Sequence, residues 1–122
     1  MAKAKKRILW VSRHPPLLKQ LGELERIYGP FELVQYAGML REAKEILELV
    51  RRYRADDAVL ILPMAFLYHL VNDYGFHPVW PEMRRVPDDS QDFDLQDFGS
   101  GRKYKFIGFY RITGFEIRKE PL

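Results

Sequence analysis

No cysteine occurs in the 122 residues. That single absence excludes a disulfide framework, a thiolate zinc site and a cysteine nucleophile. Long apolar runs are also missing, so nothing in the sequence reaches the length of a membrane span. After the basic residues Lys3, Lys5, Lys6 and Arg7, the first apolar run is Ile8-Leu9-Trp10-Val11, and Ser12-Arg13-His14 follows at once. Four apolar residues are too few for a secretory leader. The expectation is a soluble, cytoplasmic protein with no membrane contact. Charge of one sign is scarce: 20 Lys and Arg against 17 Asp and Glu leave +3, far from a dedicated nucleic-acid binder. The three histidines, His14, His69 and His77, are too far apart for metal-ligand spacing. The glycines and the Lys-Ser/Thr pair of a P-loop are absent.

What is present is a globular composition, 47% hydrophobic and 30% charged, at a length that suits one domain. The run Ile8-Leu9-Trp10-Val11 reads as a strand buried on both faces. Beyond Pro15 and Pro16, Leu17, Leu21, Leu24 and Tyr28 make a helical stripe that Gly29-Pro30 ends. A second strand covers residues 31–35. A helix over 40–53 places Ala43, Ile46, Leu47 and Val50 on one face. Residues 58–62 form a third strand and 64–74 a third helix. That helix has Phe66 or Leu67, Leu70, Val71 and Tyr74 as its apolar stripe. Val79 and Trp80 open a fourth strand. The β-α-β-α-β-α-β alternation predicts an α/β fold, a Rossmann-like three-layer sandwich with a mostly parallel sheet and the second strand at one edge.

The last third differs. Residues 88–97 carry Asp88, Asp89, Asp92, Asp94 and Asp97 and lack the glycine and glutamate of a calcium loop, so they read as a solvated loop or ragged edge strand. Gly99-Ser100-Gly101 is a turn signal. From Lys103 to Ile112 the chain alternates like an antiparallel strand, with Ile107 and Phe109 breaking the pattern. Gly114 precedes a second candidate strand, Phe115-Glu116-Ile117. The whole is one domain, with a parallel core over 1–87 and an antiparallel ribbon over 88–122. The density of Tyr104, Phe106, Phe109, Tyr110 and Phe115 exceeds what one small sheet face normally hides, which points to a homodimer.

In an open parallel sheet, ligands bind at the carboxyl ends of the strands. Those ends deliver Ser12, Arg13 and His14 from the first strand, Gln35 from the second, Pro63 and Met64 from the third, and Arg84 and Arg85 from the fourth. A hydroxyl, a guanidinium and an imidazole near a helix N-terminus suit a phosphate. The plain alternative is that Ser12 or His14 caps the helix and Arg13 is solvated. Arg84 and Arg85, with Lys103 and Lys105, form either a basic rim or solubilising charge on an edge strand. No metal and no cofactor is expected.

The opening Val11-Ser12-Arg13-His14-Pro15, with Leu62-Pro63 and a helix closing at Gly75, resembles the small single-domain ring nucleases that accompany type III CRISPR systems and have a CARF-like core. The resemblance covers about the first eighty residues. It implies binding of a cyclic oligoadenylate across a homodimer two-fold. It also implies metal-independent cleavage, in which a ribose 2′-hydroxyl attacks the adjacent phosphate. Ser12, Arg13 and His14 would then be the catalytic group.

Overall fold

The last four side chains of β1 (Lys6–Val11) are buried and point alternately to opposite sides of the sheet. Leu9 and Val11 pack with Ala58 and Leu60 of β3 (Asp57–Leu60), beneath Ile46 and Leu49 of α2 (Lys44–Tyr53) and Leu67 and Leu70 of α3 (Met64–Tyr74). Ile8 and Trp10 pack on the other side with Val59, with Val79 of β4 (Val79–Val86) and with Leu24 of α1 (Leu18–Tyr28). One apolar run therefore supplies two clusters, with α1 over one face and α2 and α3 over the other.

The computed structural model describes residues 5–122; Lys3 of the basic N-terminus lies outside them. With β2 (Phe31–Tyr36), β5 (Leu95–Gln96) and β6 (Lys103–Arg111), the strands form one six-stranded sheet in the order β2-β1-β3-β4-β6-β5. The strands β1 to β4 are parallel, β6 is antiparallel to β4, and β5 is antiparallel to β6. The fold is mixed α/β, with β2 at one edge as its place in the sequence predicts. Among the described residues, no helix is long and apolar enough to cross a membrane.

Several boundaries differ from the sequence expectation for local reasons. The helix α2 starts at Lys44 rather than near Leu40, because the N–H groups of Arg41 and Glu42 donate to the Glu45 carboxylate at 2.6 and 3.0 Å. Those two hydrogen bonds hold the Glu45 carboxyl below its ordinary range. The stripe of α3 ends at Val71, and Tyr74 is about half exposed. No strand forms over 115–117. The partner of β6 is β4, which begins at Val79 opposite Arg111; one further bond, Ile112 N–H to Pro78 O at 2.9 Å, closes the ladder. Phe115 instead lays its ring against Tyr68, centroids 5.9 Å apart.

The broken alternation in β6 has a structural cause. Glu82 faces Gly108 and Met83 faces Phe106, so Ile107 is an extra residue, a β-bulge. The bulge shifts the parity of the strand and puts Phe106 and Phe109 on one face, ring centroids 5.0 Å apart. Phe109 also meets Trp10 edge-on at 6.3 Å. Phe106, Phe109 and Phe115 thus pack within their own chain, so the density of ribbon aromatics is no argument for a dimer.

In the acidic segment Asp88, Asp89, Asp92 and Asp97 are exposed, and Leu95–Gln96 forms the short edge strand β5, as the reading of a solvated loop or ragged edge strand has it. Asp92 pairs with Lys105, Asp94 with Lys19 at 3.3 Å, and the Asp94 carboxylate also accepts the Phe106 N–H at 2.8 Å. Lys103 donates to Ser90 O at 2.9 Å and lies 4.5 Å over the Phe93 ring. Acidic and basic runs adjacent in sequence fold onto each other as a strap.

At the amino end of the parallel strands, Asp57 has only 11% of its side chain exposed. Burial alone would raise its carboxyl. The guanidinium of Arg111, donating to both oxygens at 3.0 and 2.6 Å, and the Tyr28 hydroxyl at 2.6 Å more than offset this and hold the group below its ordinary range. Burial, and then the hydrogen bond to Asp57, push the Tyr28 phenol well up. Because the folded-state value is depressed, the unfolded chain takes up the proton first. The stabilisation is full above about pH 4 and is lost as pH falls through the folded value. Asp57→Ala should cost about 2–3 kcal/mol at neutral pH, the scale of lost hydrogen bonds to a charged group. Its deficit relative to the parent should shrink as the pH drops below 4, which urea titrations at several pH values would read.

Candidate functional site

The segment between β1 and α1 is built from its own hydrogen bonds. Ser12 N–H continues the parallel ladder to Tyr36 O at 3.1 Å, and Ile61 N–H does the same to Val11 O. The Ser12 hydroxyl oxygen accepts the His14 N–H at 3.1 Å, a local turn two residues long. Gln35 Nε2 donates to Ser12 O at 3.0 Å, and the indole N–H of Trp10 donates to His14 O at 2.9 Å. Ser12 is buried, whereas Arg13 and His14 are exposed. The loop backbone is fixed from three sides while these two side chains face solvent.

Neither Ser12 nor His14 caps α1. Its N-cap is Leu17, whose N–H donates to the side-chain oxygen of Gln20 at 2.8 Å. Pro15 and Pro16 separate the Ser12 turn from the helix, so the anion-attracting helix terminus and the polar triplet are adjacent rather than fused. Gln20 was not legible as a site residue. It is buried and places its amide nitrogen 3.8 Å from the sulfur of Met83. Its only signal in the sequence is its position four residues before Leu24 on the core face.

Two hollows flank the loop. One, of about 280 Å3, lies over the carboxyl ends of β1, β2 and β3 and is lined by Ser12, Arg13, His14, Tyr36, Gly38 and Ile61 among others. The Tyr36 ring lies back over Gly38, where a Cβ would come within 2.5 Å of the phenol oxygen, so a larger residue at 38 would displace the ring. The other hollow, of about 260 Å3, lies on the β4 side and is mainly apolar, lined by Trp10, Pro15, Leu17, Trp80, Met83 and Leu95 among others. Ser12, His14 and Ile61 border both.

The other sequence-proposed residues fall around this centre. Gln35 stands behind the loop as its brace. Pro63 is the N-cap of α3 and Met64 its first, exposed residue; the β3 wall of the polar hollow is Ile61 and Leu62 instead. Arg84 and Arg85 are near the carboxyl end of β4, whose last residue is Val86. They lie within β4, opposite Lys105 and Tyr104. Trp10, Val59 and Val79 share one level of the sheet, which puts Ser12 level with Pro81 and Arg84 roughly 10 Å beyond it at the usual rise per residue. Arg85 faces Asp88 at 3.9 Å, and Lys103 and Lys105 are engaged by the acidic strap, so the four cations do not converge as a rim.

A larger hollow of about 500 Å3 opens between residues 41–44 and α3. Its lining mixes signs: His69 meets Asp73 at 2.6 Å and Lys44 meets Glu42 at 3.4 Å, with Arg41 beside them. The polar hollow has Arg13 and His14 and no carboxylate among its lining residues. Among the described residues, no three His, Asp or Glu side chains stand close enough to hold a metal ion. Chemically, the arrangement offers a guanidinium fork, an imidazole and a Tyr36 ring around a recess that fits one anionic group.

No family model, curated protein or solved structure matches this chain. The site therefore rests on its own geometry.

The Ser12 turn should contribute measurably to stability although it caps no helix. Ser12→Ala removes the acceptor of one backbone N–H and should cost about 1 kcal/mol. Gln35→Leu should cost a similar amount and free the Ser12 carbonyl. In both variants the His14 amide should exchange with solvent faster than in the parent, while amides of β3 keep their protection; unchanged exchange at His14 would refute the bracing role.

Proposed function

We propose that this protein binds a cyclic oligoadenylate through one of its phosphates at the polar hollow and cleaves it without a metal ion, on a Rossmann-like three-layer core in the cytoplasm. The observation that carries the reading is the placement of Arg13. It stands exposed on a backbone pinned by Trp10, Gln35 and Tyr36, at the carboxyl end of β1, over a recess with no competing carboxylate. The position is the one that open parallel sheets use for ligands. The guanidinium fork matches two phosphate oxygens at once.

The cleavage follows from positioning and charge. The ribose 2′-oxygen forms a bond to the adjacent phosphorus, the bond from phosphorus to the 5′-oxygen breaks, and a 2′,3′-cyclic phosphate and a 5′-hydroxyl result. Arg13 offsets the charge that gathers on the phosphoryl oxygens. His14 takes the proton from the 2′-hydroxyl or gives one to the departing 5′-oxygen. The Ser12 hydroxyl holds the turn that orients both.

A non-enzymatic Rossmann-like module that binds a nucleotide, a nucleic acid or a protein partner is the second reading. It is favoured by the Ser12 hydroxyl oxygen being occupied by the His14 N–H, and by His14 having no carboxylate among its hollow's lining to orient it. Incubation with cyclic tetra-adenylate and cyclic hexa-adenylate in EDTA, followed by chromatography, separates the two. Linear products establish the enzyme, binding without products establishes the module, and neither result removes both. Arg13→Ala should weaken binding by roughly 1.5–3 kcal/mol, a factor of about 10 to 150, with the melting temperature unchanged. Arg13→Lys should recover part of that loss. His14→Ala should lower turnover more than affinity. Unchanged affinity in Arg13→Ala would sink the phosphate site.

A further inference from the structure

We propose that the apolar hollow on the β4 side is a binding site for a small neutral aromatic molecule with a hydrogen-bond acceptor, a carbonyl oxygen or ring nitrogen, at one edge, and that Gln20 reads that acceptor. Gln20 is only 5% exposed. The two polar ends of its amide are unequally served. The oxygen accepts the Leu17 N–H at 2.8 Å, which fixes the orientation of the amide. The nitrogen is left with the sulfur of Met83 at 3.8 Å. A thioether is a weak acceptor, so a buried amide nitrogen that faces one forgoes most of the hydrogen bonding it has in water. Gln20 and Met83 both line the hollow, so this underserved donor stands at its wall.

The rest of the lining decides the class of ligand. Trp10, Pro15, Trp80 and Pro81 offer ring surfaces, and a methionine sulfur such as that of Met83 makes favourable contacts with an aromatic ring. Among the described residues, no carboxylate, lysine or arginine lines the hollow. A charged molecule would lose its hydration there without gaining a partner, whereas a neutral ring has little hydration to lose. Size agrees as well: a dry apolar cavity of about 150 Å3 accepts benzene, and about 260 Å3 leaves room for a second fused ring. The site goes beyond the phosphate reading and does not depend on it, because Arg13 lines the other hollow.

Indanone and indane test this, since they share one fused-ring frame and differ by a carbonyl. Indane is the more apolar, so a hollow that acts by burial alone binds indane more tightly. With Gln20 reading the acceptor, NMR titrations of the full chain should instead give indanone the tighter affinity, by about 5-fold or more, the scale of one net hydrogen bond. The side-chain amide signals of Gln20 should move with indanone and stay in place with indane, while the indole N–H signals of Trp10 and Trp80 respond to both. Gln20→Glu keeps an acceptor for the Leu17 N–H and removes the donor, so it should reverse the order of the two ligands. Indane bound by the parent as tightly as indanone, binding of neither, or an unchanged preference for indanone in Gln20→Glu overturns the proposal. If Gln20→Glu fails to fold, the comparison in the parent decides alone.

Discussion

The indole of Trp10 couples the core to the site. Its ring is 99% buried between α1 and β6, and its N–H reaches His14 O at 2.9 Å. A buried indole N–H without a partner would cost about 1–3 kcal/mol. The loop therefore has to bring a carbonyl to that point, and only a tight turn over residues 12–14 does so. Ser12 makes the turn by accepting the His14 N–H, and Gln35 holds the remaining Ser12 carbonyl. Side chains that point outward from such a turn inherit the rigidity of the core, which is why Arg13 can be both exposed and placed.

The same indole explains how the antiparallel ribbon belongs to the domain. Phe109 meets Trp10 edge-on, and the bulge at Ile107 is what turns Phe109 to that face. Without the extra residue, Phe106 and Phe109 would stand on opposite sides and one would face water. The ribbon is then held from outside by the pairs of Asp92 and Asp94 with Lys105 and Lys19. Those surface pairs are individually weak, so the β4–β6 ladder, which sets the register, and the aromatic contact carry the attachment.

Periodicity made the parallel core legible because each element carries its own signal. A continuous apolar run marks β1, a stripe marks α3, and Gly29 and Gly75 mark the ends of α1 and α3. The expected boundaries of α3 coincide with the observed ones, and β2 lies at the edge. What was hidden depended on contacts distant in sequence. The acidic segment reads as a loop or edge strand, but its pairing with β6 shows only once the two are laid side by side. The pattern break at Ile107 is ambiguous until Glu82 and Met83 are known to oppose Gly108 and Phe106. The strand β4 runs on through Pro81 to Val86, with its ladder to β6 shifting between Glu82 and Met83. A proline at a bulged, irregular part of a ladder does not stop a strand. The Ser12 loop was legible as a position, since it follows β1, but its brace was not: nothing in the sequence ties Gln35 to Ser12.

The two ends of the parallel strands are built on opposite principles. At the amino end, Asp57, Arg111 and Tyr28 satisfy one another, and His77 O takes a further Arg111 N–H at 2.8 Å. At the carboxyl end, Leu18, Met39, Ile61 and Met64 are left exposed, and Arg13 has no acidic partner among the residues lining its hollow. Each exposed apolar side chain forgoes burial worth about 1.5–3 kcal/mol, and covering it would have closed the hollows. A chain selected for stability alone would have closed both ends as it closed the first. The division lets residues of the Ser12 loop vary in chemistry while the Asp57 cluster and the Trp10 core keep the sheet intact, so the energetic cost of the open end falls on the part of the fold with the least burial to lose.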